Sequence, residues 1–201
     1  MPRQRRGAAG APGSARLRSC LRPVARAALA ATLAAALPQP SLAQPKSDWE
    51  LAQEERDWRE GEFSLPAYPK PADLVPFDVS AASDFRFFVD ATSLAVGQDG
   101  VVRYTLVARS RSGAENVSFE GIRCKSGRVR AYAFGQAGAR WSARGTPWRA
   151  IEPRGAQRWH FVLWREYFCP HAIAIRDAAE GVDALRRGGH PDAPRADMFG
   201  R

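Results

Sequence analysis

The sequence has few of the residues and motifs that identify an enzyme or a metalloprotein. It contains three cysteines, three histidines and two methionines among 201 residues. It has no Gly-x-Ser-x-Gly elbow, phosphate-binding loop, dinucleotide fingerprint, His-Glu-x-x-His or Cys-x-x-Cys motif. We therefore predict no cofactor and no metal site. A dispersed Ser/His/Asp site stays open, because sequence spacing does not reveal such triads.

Long hydrophobic runs are also missing. The apolar run from Ala27 to Leu37 has 11 residues, well short of the roughly 20 that span a bilayer. Ser41-Leu42-Ala43 follows it with small residues at positions −3 and −1 of a cleavage site. We therefore predict a signal peptide over residues 1–43, cleavage after Ala43, export to the periplasm, and a mature chain without a transmembrane segment. The basic segment before the run contains Arg3, Arg5, Arg6, Arg16, Arg18, Arg22 and Arg26.

The positive charge of the chain lies largely in this leader. The whole sequence has 30 Lys and Arg against 21 Asp and Glu, a net charge of +9. Seven of the arginines and none of the acids precede residue 44, so the rest has 23 basic and 21 acidic residues, a net charge of +2. A nucleic-acid-binding domain would keep a strong basic excess. We therefore predict no nucleic-acid partner.

The remaining charge is unevenly distributed along the chain. Residues 44–100 carry 5 basic and 12 acidic groups, whereas residues 101–165 carry 13 basic and 3 acidic groups. This opposite charge predicts one of two outcomes: the acidic segment packs against the basic segment, or an anionic partner binds the basic segment.

The cysteines indicate one cross-link. Cys20 lies in the leader, so the exported chain retains Cys124 and Cys169 in an oxidising compartment. We predict a disulfide between them, worth about 4 kcal/mol in the chain-entropy description. The rival interpretation is a metal site formed by Cys124, Cys169 and His171, although that spacing matches no standard zinc pattern.

The residue pattern after position 84 predicts a mainly β (α+β) fold. Strand-like segments recur at roughly ten-residue spacing and are separated by Gly, Asp and Ser turns, which favours an antiparallel sheet, a sandwich or a partly open barrel. In the third segment, Val102, Tyr104, Leu106 and Ala108 alternate onto one face. The predicted strands are FRFFVD, SLAVG, VVRYTLVARS, NVSFEGIRC, RVRAYAFG and RWHFVLWREYFC.

Helices are predicted at both ends of this β-rich region. Ser47 and Glu50 fit a capping box, which predicts a short helix from about Asp48 to Glu60. The segment Leu65–Phe77 contains four prolines and predicts an extended connector outside the sheet. A second, amphipathic helix is predicted to begin near Asp177 and to end before Gly188.

These elements predict four regions. They are a signal peptide (1–43), an acidic helix with a proline-rich N-terminal arm (44–80), a β-rich domain with its C-terminal helix (81–189), and a disordered tail (190–201).

Arginine and tryptophan are interleaved after residue 139. Such a mixture is typical of surfaces that bind anionic or sugar-bearing ligands through charge and stacking. The alternative is that the aromatic residues belong to the core and the arginines to a solvated rim. The candidate ligand surface consists of Arg140, Trp141, Arg144, Trp148, Arg149, Arg154 and Arg158.

Two carboxylates lie close in sequence to the cysteines. The disulfide would bring Glu120 near Glu166, and two neighbouring carboxylates could serve hydrolysis. The alternative, which we favour, is that Arg123 or Arg165 pairs with them in a structural network. His160 alternates with aromatic neighbours in a predicted strand, which indicates a surface or hydrogen-bonded structural residue rather than a catalytic base.

Several segments resemble one protein family. LPAYPKPADLVPF, FFVDATSLAVGQDGVVRYTLVARS, GAENVSFEGIRC, RAYAFG and REYFCP resemble the cryptic neisserial protein one-like (CNP-one-like) family of uncharacterised exported bacterial proteins. The likeness covers most of residues 48–188, and GIRC and EYFCP are its most specific parts. It implies an exported single domain and the pairing of Cys124 with Cys169. It supplies no catalytic residues.

The combined expectation is an exported periplasmic domain that acts as a non-enzymatic binding or accessory protein of the cell envelope. Its expected partner is an envelope protein, an anionic lipid headgroup or a glycan. The alternative is a hydrolase with an unrecognised site near Glu120 and Glu166.

Overall fold

The structure, a computed structural model, describes residues 46–80, 83–142 and 144–194. The predicted signal peptide with Cys20 and the cleavage site, and the end of the predicted tail (195–201), lie outside the described residues. Within them, no helix is long and apolar enough to cross a membrane.

The described part is built around one antiparallel sheet of seven strands. The strands follow one another in the order β1 to β6, and β7 pairs with the start of β5 while β6 pairs with its end. The sheet is therefore an open meander and not a closed barrel, which confirms the mainly β (α+β) prediction. The strands are β1 (Leu74–Phe77), β2 (Phe85–Val96), β3 (Val101–Ser110), β4 (Glu115–Arg123), β5 (Arg128–Gln136), β6 (Arg140–Ser142) and β7 (Arg149–Ala150).

The central strand, β3, is buried on both faces. Every residue from Val101 to Ala108 is buried. Its apolar positions join the larger core as the alternation predicts, but the opposite face, with Arg103 and Thr105, is buried as well. We call the side that carries Tyr104 and Leu106 the helix face and the side that carries Arg103 and Val107 the arm face.

The structure corrects the strand prediction near the N-terminus of the sheet. Residues 85–96 form one strand, not two, with a register shift between Asp90 and Ala95. At this bulge the Asp90 carboxylate accepts hydrogen bonds from the backbone N–H and the hydroxyl of Thr92, at 2.9 and 2.8 Å. The local bonds allow the chain to bend without leaving the sheet.

The proline-rich connector and the segment 136–157 also contribute strands to the sheet. The end of the connector forms β1 and pairs with β2, so the prediction that the whole connector lies outside the sheet is wrong. Pro76 is tolerated there because β1 is an edge strand and needs hydrogen bonds on one side only. The segment 136–157, which lies between the last two predicted strands and was expected to be a loop, contains β6 and β7.

The predicted strand RWHFVLWREYFC is helical, and this prediction is wrong. Its buried residues include His160, Leu163 and Tyr167, whose spacing of three and four is that of one helical face. Alternating aromatic residues had imitated a strand. The described helices are α1 (Asp48–Asp57), α2 (Arg158–Val162), continued by a π-helical segment (Leu163–Phe168), and α3 (Ala178–Arg187), with 3-10 turns at Pro71–Asp73 and Pro170–Ala172.

Both terminal helices use the caps that the sequence indicates. Ser47 accepts from the N–H of Glu50 and the Glu50 carboxylate accepts from the N–H of Ser47, so the capping box is present, although α1 ends at Asp57. Asp177 caps α3, and Gly188 closes it with a φ of 77°, a conformation that favours glycine.

Two layers cover the sheet. On the helix face, α2, the π-helical segment and α3 contribute to the larger core, and the Cys124–Cys169 disulfide lies in it. The disulfide prediction is confirmed, and the alternative of a metal held by the two thiolates is wrong. On the arm face, residues 58–74 cover two smaller aromatic clusters. We call residues 46–73 the arm.

Candidate functional site

The helix face contains a cavity of about 340 Å³ beside α2. Apolar side chains from β2, β3 and β5, among them Phe87, Leu106 and Val129, form much of its lining. Polar side chains from β4, β7 and α2 complete it. This combination of an apolar lining and a few convergent polar groups is typical of small-molecule sites, and the volume lies at the lower end of their usual range of about 300–1,000 Å³.

A buried hydrogen-bond network lies at the polar end of the cavity. The Glu120 carboxylate on β4 accepts from the Tyr104 hydroxyl at 2.9 Å and from the Ser118 hydroxyl at 2.7 Å. His160 Nε2, on α2, lies 2.8 Å from Glu120 Oε2. All four side chains are buried, so the network joins the sheet to α2 in the protein interior.

The electrostatics of this network keep Glu120 ionised. Burial raises the pKa of Glu120, but the neighbouring imidazole of His160 and hydrogen bonds from His160, Ser118 and Tyr104 together lower the pKa below its usual value. Burial and the neighbouring carboxylate raise the pKa of Tyr104 well above its usual range. Tyr104 therefore remains a neutral donor and Glu120 a charged acceptor at neutral pH.

The tautomer of His160 follows from its neighbours. Arg149 Nη2 lies 3.3 Å from Nδ1, and a guanidinium carries only donors. Nδ1 is therefore the acceptor, and the ring proton on Nε2 points to Glu120. The indole N–H of Trp159 lies 3.1 Å from the same Nε2, which cannot accept while it carries that proton.

This arrangement does not match the chemistry considered for Glu120 and Glu166. Ser118 donates to Glu120 and not to His160, so the three residues do not form a nucleophile, a base and an orienting acid. Both Glu120 oxygens accept hydrogen bonds, and a lowered pKa does not suit a general acid. Within the described residues, the hydrogen-bond partners of the Glu120 carboxylate are Tyr104, Ser118 and His160, and Glu166 is not one of them.

Glu120 belongs to a structural network, which it forms with Tyr104, Ser118 and His160. Arg123, one of the two arginines expected there, instead donates to Glu55 of α1 at 2.6 Å and lies 3.9 Å from the centre of the Trp58 ring. The sequence pattern did not reveal the Glu120–His160 pair, because it indicated a strand around His160. The spacing of residues 160, 163 and 167 was the signal that could have revealed the buried helical face.

The residues of the predicted Arg/Trp ligand surface lie in different environments. Trp141 is partly buried and donates to the carbonyl of Pro66 at 2.9 Å. Trp148 is partly buried against Trp58, with ring centres 5.8 Å apart. Arg149 lies on the cavity. The other four residues, Arg140, Arg144, Arg154 and Arg158, are exposed. The arm thus covers the two tryptophans, and the ligand role of the set stays a prediction.

The arm binds the basic sheet, which is the mutual packing that the charge pattern allowed. Glu60 accepts from Arg130 at 2.8 Å, from the Tyr132 hydroxyl at 2.7 Å and from the Trp148 indole at 3.4 Å. The arm backbone at Gly61 donates to Asp99 at 2.7 Å, and Asp99 also binds Arg103 at 2.6 Å. Much of the sheet's positive charge is therefore paired inside the molecule.

In the part of the chain that the structure describes, His, Cys, Asp and Glu form no group of three or more that could hold a metal ion. The sequence profile of the CNP1-like family matches residues 53–186, about two thirds of the chain. No curated protein and no solved structure matches the chain.

Proposed function

The chain belongs to the CNP1-like family, and from this premise we propose that it is an exported, non-enzymatic binding protein of the cell envelope that holds a small molecule on the helix face. The observation that carries the proposal is the cavity of about 340 Å³ beside α2. The cavity opens to the surface beside the exposed Phe85 and Phe134. An apolar cleft of this size with a few convergent polar groups favours a ligand site.

The chemistry of the cavity supports binding rather than catalysis. Its buried carboxylate is saturated by three donors, and its histidine is held between Glu120 and Arg149. A carboxylate whose two oxygens are occupied by donors and whose pKa is lowered is a poor general acid. The hydrolase that the sequence left open would need a carboxylate with a free oxygen or a raised pKa.

The location is supported by two features of different kinds. The leader has the basic segment, the apolar run and the small residues of a cleaved signal peptide. The disulfide fits an oxidising compartment such as the periplasm. The cavity is a better candidate for the binding site than the basic surface, because the arm already contacts many of the basic and aromatic groups of that surface.

Filling the cavity should abolish binding. Ala108 lines it from β3, so Ala108→Phe would place a ring in the ligand space. We expect the protein purified from the periplasm, with an intact mass that begins at Gln44, to bind the uncharged probe N-phenyl-1-naphthylamine with increased fluorescence. Ala108→Phe should weaken this binding about tenfold or more, which corresponds to about 1.4 kcal/mol or more.

The control adds the same ring elsewhere. Ala95 is exposed on β2, and Ala95→Phe should bind the probe as the wild type does. Thermal unfolding of both variants checks that they fold. A wild type that does not bind, or an Ala108→Phe variant that folds and binds normally, would contradict the proposal.

A further inference from the structure

The polar end of the cavity has more hydrogen-bond donors than acceptors. Around His160, Arg149 donates to Nδ1 and the Nε2 proton is directed to Glu120. The indole N–H of Trp159 faces Nε2 and finds no lone pair there. Trp159 lies on the cavity with its ring stacked on Phe87 at 5.2 Å. A donor left without an acceptor is costly inside a protein, and an oxygen of a ligand would satisfy it.

Arg149 brings the positive charge. It is partly buried on β7, which holds it by pairing with β5, and its guanidinium lies on the cavity. Among the described residues, no carboxylate lies within salt-bridge distance of Arg149, whereas Arg103, Arg123 and Arg130 each have one. Its hydrogen-bond partner, the imidazole of His160, accepts at Nδ1 in the tautomer assigned above and brings no negative charge.

We infer that the ligand is an amphipathic monocarboxylate, with its carboxylate on Arg149 and its apolar body on the lining formed by residues such as Phe87, Leu106 and Val129. This inference rests on the proposed function, because it names the class of molecule that the same cavity holds. A guanidinium binds a carboxylate through two parallel hydrogen bonds, which adds orientation to charge attraction.

The surrounding charges select a single carboxylate over a more highly charged head group. Glu120, the ionised acid of the cavity, is separated from Arg149 by the imidazole ring, since the two groups bind opposite nitrogens of His160. Its own charge is met by three donors. One arginine offsets one negative charge, whereas a phosphate dianion beside Glu120 would be left partly uncompensated.

The test compares two probes that differ in their head groups. Decanoate and decanol have the same chain, but only decanoate is charged at neutral pH. By titration calorimetry of the full mature protein we expect decanoate to bind about ten- to a hundredfold more tightly than decanol, the range expected of a charge-assisted hydrogen bond. Arg149→Gln should remove this preference and leave decanol binding unchanged, and Arg149→Lys should fall between the two.

The matched control is Arg128→Gln. Arg128 is an exposed arginine that pairs with Ala150 of β7, next to Arg149, so its removal changes the net charge equally but not the cavity. It should bind decanoate as the wild type does. An equal loss in Arg128→Gln would show that long-range charge, and not Arg149, attracts the anion, and it would overturn the inference.

The outcomes separate this inference from the proposed function. If decanoate and decanol bind equally well, and Ala108→Phe abolishes both, the cavity is a binding site and the carboxylate assignment is wrong. If neither probe binds, and N-phenyl-1-naphthylamine does not bind either, the proposed function fails as well. Preference for decanoate that depends on Arg149 supports both.

Discussion

The two faces of the sheet bury polar groups in different ways. On the arm face, distant parts of the chain supply complementary charges, so that Glu60 and Arg130 find each other across 70 residues. On the helix face, Glu120 and His160 form a more deeply buried pair, but the cavity beside them is open and Arg149 has no carboxylate partner there among the described residues. One face is closed by the chain itself, and the other leaves space for a ligand.

The difference follows from what covers each face. Between α1 and the turn at Pro71–Asp73 the arm has no helix, so it can follow the sheet and place side chains and carbonyls at several of its donors. The layer on the helix face contains short elements, α2 of five residues and a π-helical segment of six. Rigid helices meet a twisted sheet along part of its length only, and the cavity lies beside α2 at the end of the sheet that they leave open.

Among the changes that would test this difference between the two faces, removal of the disulfide should have the largest effect on the free energy of unfolding. The disulfide ties the end of β4 to the end of the π-helical segment. The double variant Cys124→Ala/Cys169→Ala should lower the free energy of unfolding by about 4 kcal/mol, because the unfolded chain regains the conformational freedom of the loop between the cysteines. Urea unfolding measures this. A loss under about 1 kcal/mol would show that the packing of the helix layer holds without the cross-link.

Breaking the buried pair on the helix face should have the next largest effect. Glu120→Gln removes the charge that Tyr104, Ser118 and His160 surround, and an amide in its place donates where it should accept. We expect a loss of about 2–3 kcal/mol at pH 7, because hydrogen bonds to a buried charged group are lost. Urea unfolding measures this loss. The control is Glu152→Gln, the same change at an exposed position.

The same residue predicts a pH dependence. The pKa of Glu120 is lower in the folded protein than its ordinary value of 4.5. Its contribution to stability is therefore fully present above roughly pH 5 and is lost as the pH falls through the folded-state pKa. The wild type should lose stability below about pH 4.5 more steeply than Glu120→Gln. Parallel curves would show that other carboxylates cause the acid sensitivity.

A smaller effect is expected on the arm face. Glu60→Gln removes the charge that Arg130 binds but keeps the shape, so we expect a loss of about 1–2 kcal/mol, as for one charge-assisted hydrogen bond. Amide hydrogen exchange should accelerate in residues 46–73 before it does in β3. Glu62→Gln changes an exposed acid two residues away and should leave both quantities unchanged. Equal exchange in the two variants would refute the anchoring role of Glu60.

Local chemistry made part of this structure predictable. The capping box of α1, the cap and the glycine stop of α3, and the turn at Gly100 depend on residues within a few positions of one another. The alternation of β3 and the pairing of Cys124 with Cys169 were also readable, because strand periodicity and an even cysteine count after the predicted leader need no knowledge of distant contacts.

The sequence by itself thus determined the central strands of the sheet, the pairing of Cys124 with Cys169 and the caps of the terminal helices, whereas the tertiary structure decided the site. Whether residues 158–168 form a strand or a helix depends on the surface that buries His160, Leu163 and Tyr167. The continuity of β2 depends on its pairing with β3. The Glu120–His160 contact joins residues 40 positions apart, and the contacts of the arm with the sheet join residues 70 and 72 positions apart. Such contacts are selected by packing and by the satisfaction of buried polar groups over the whole molecule, and no short segment contains that information.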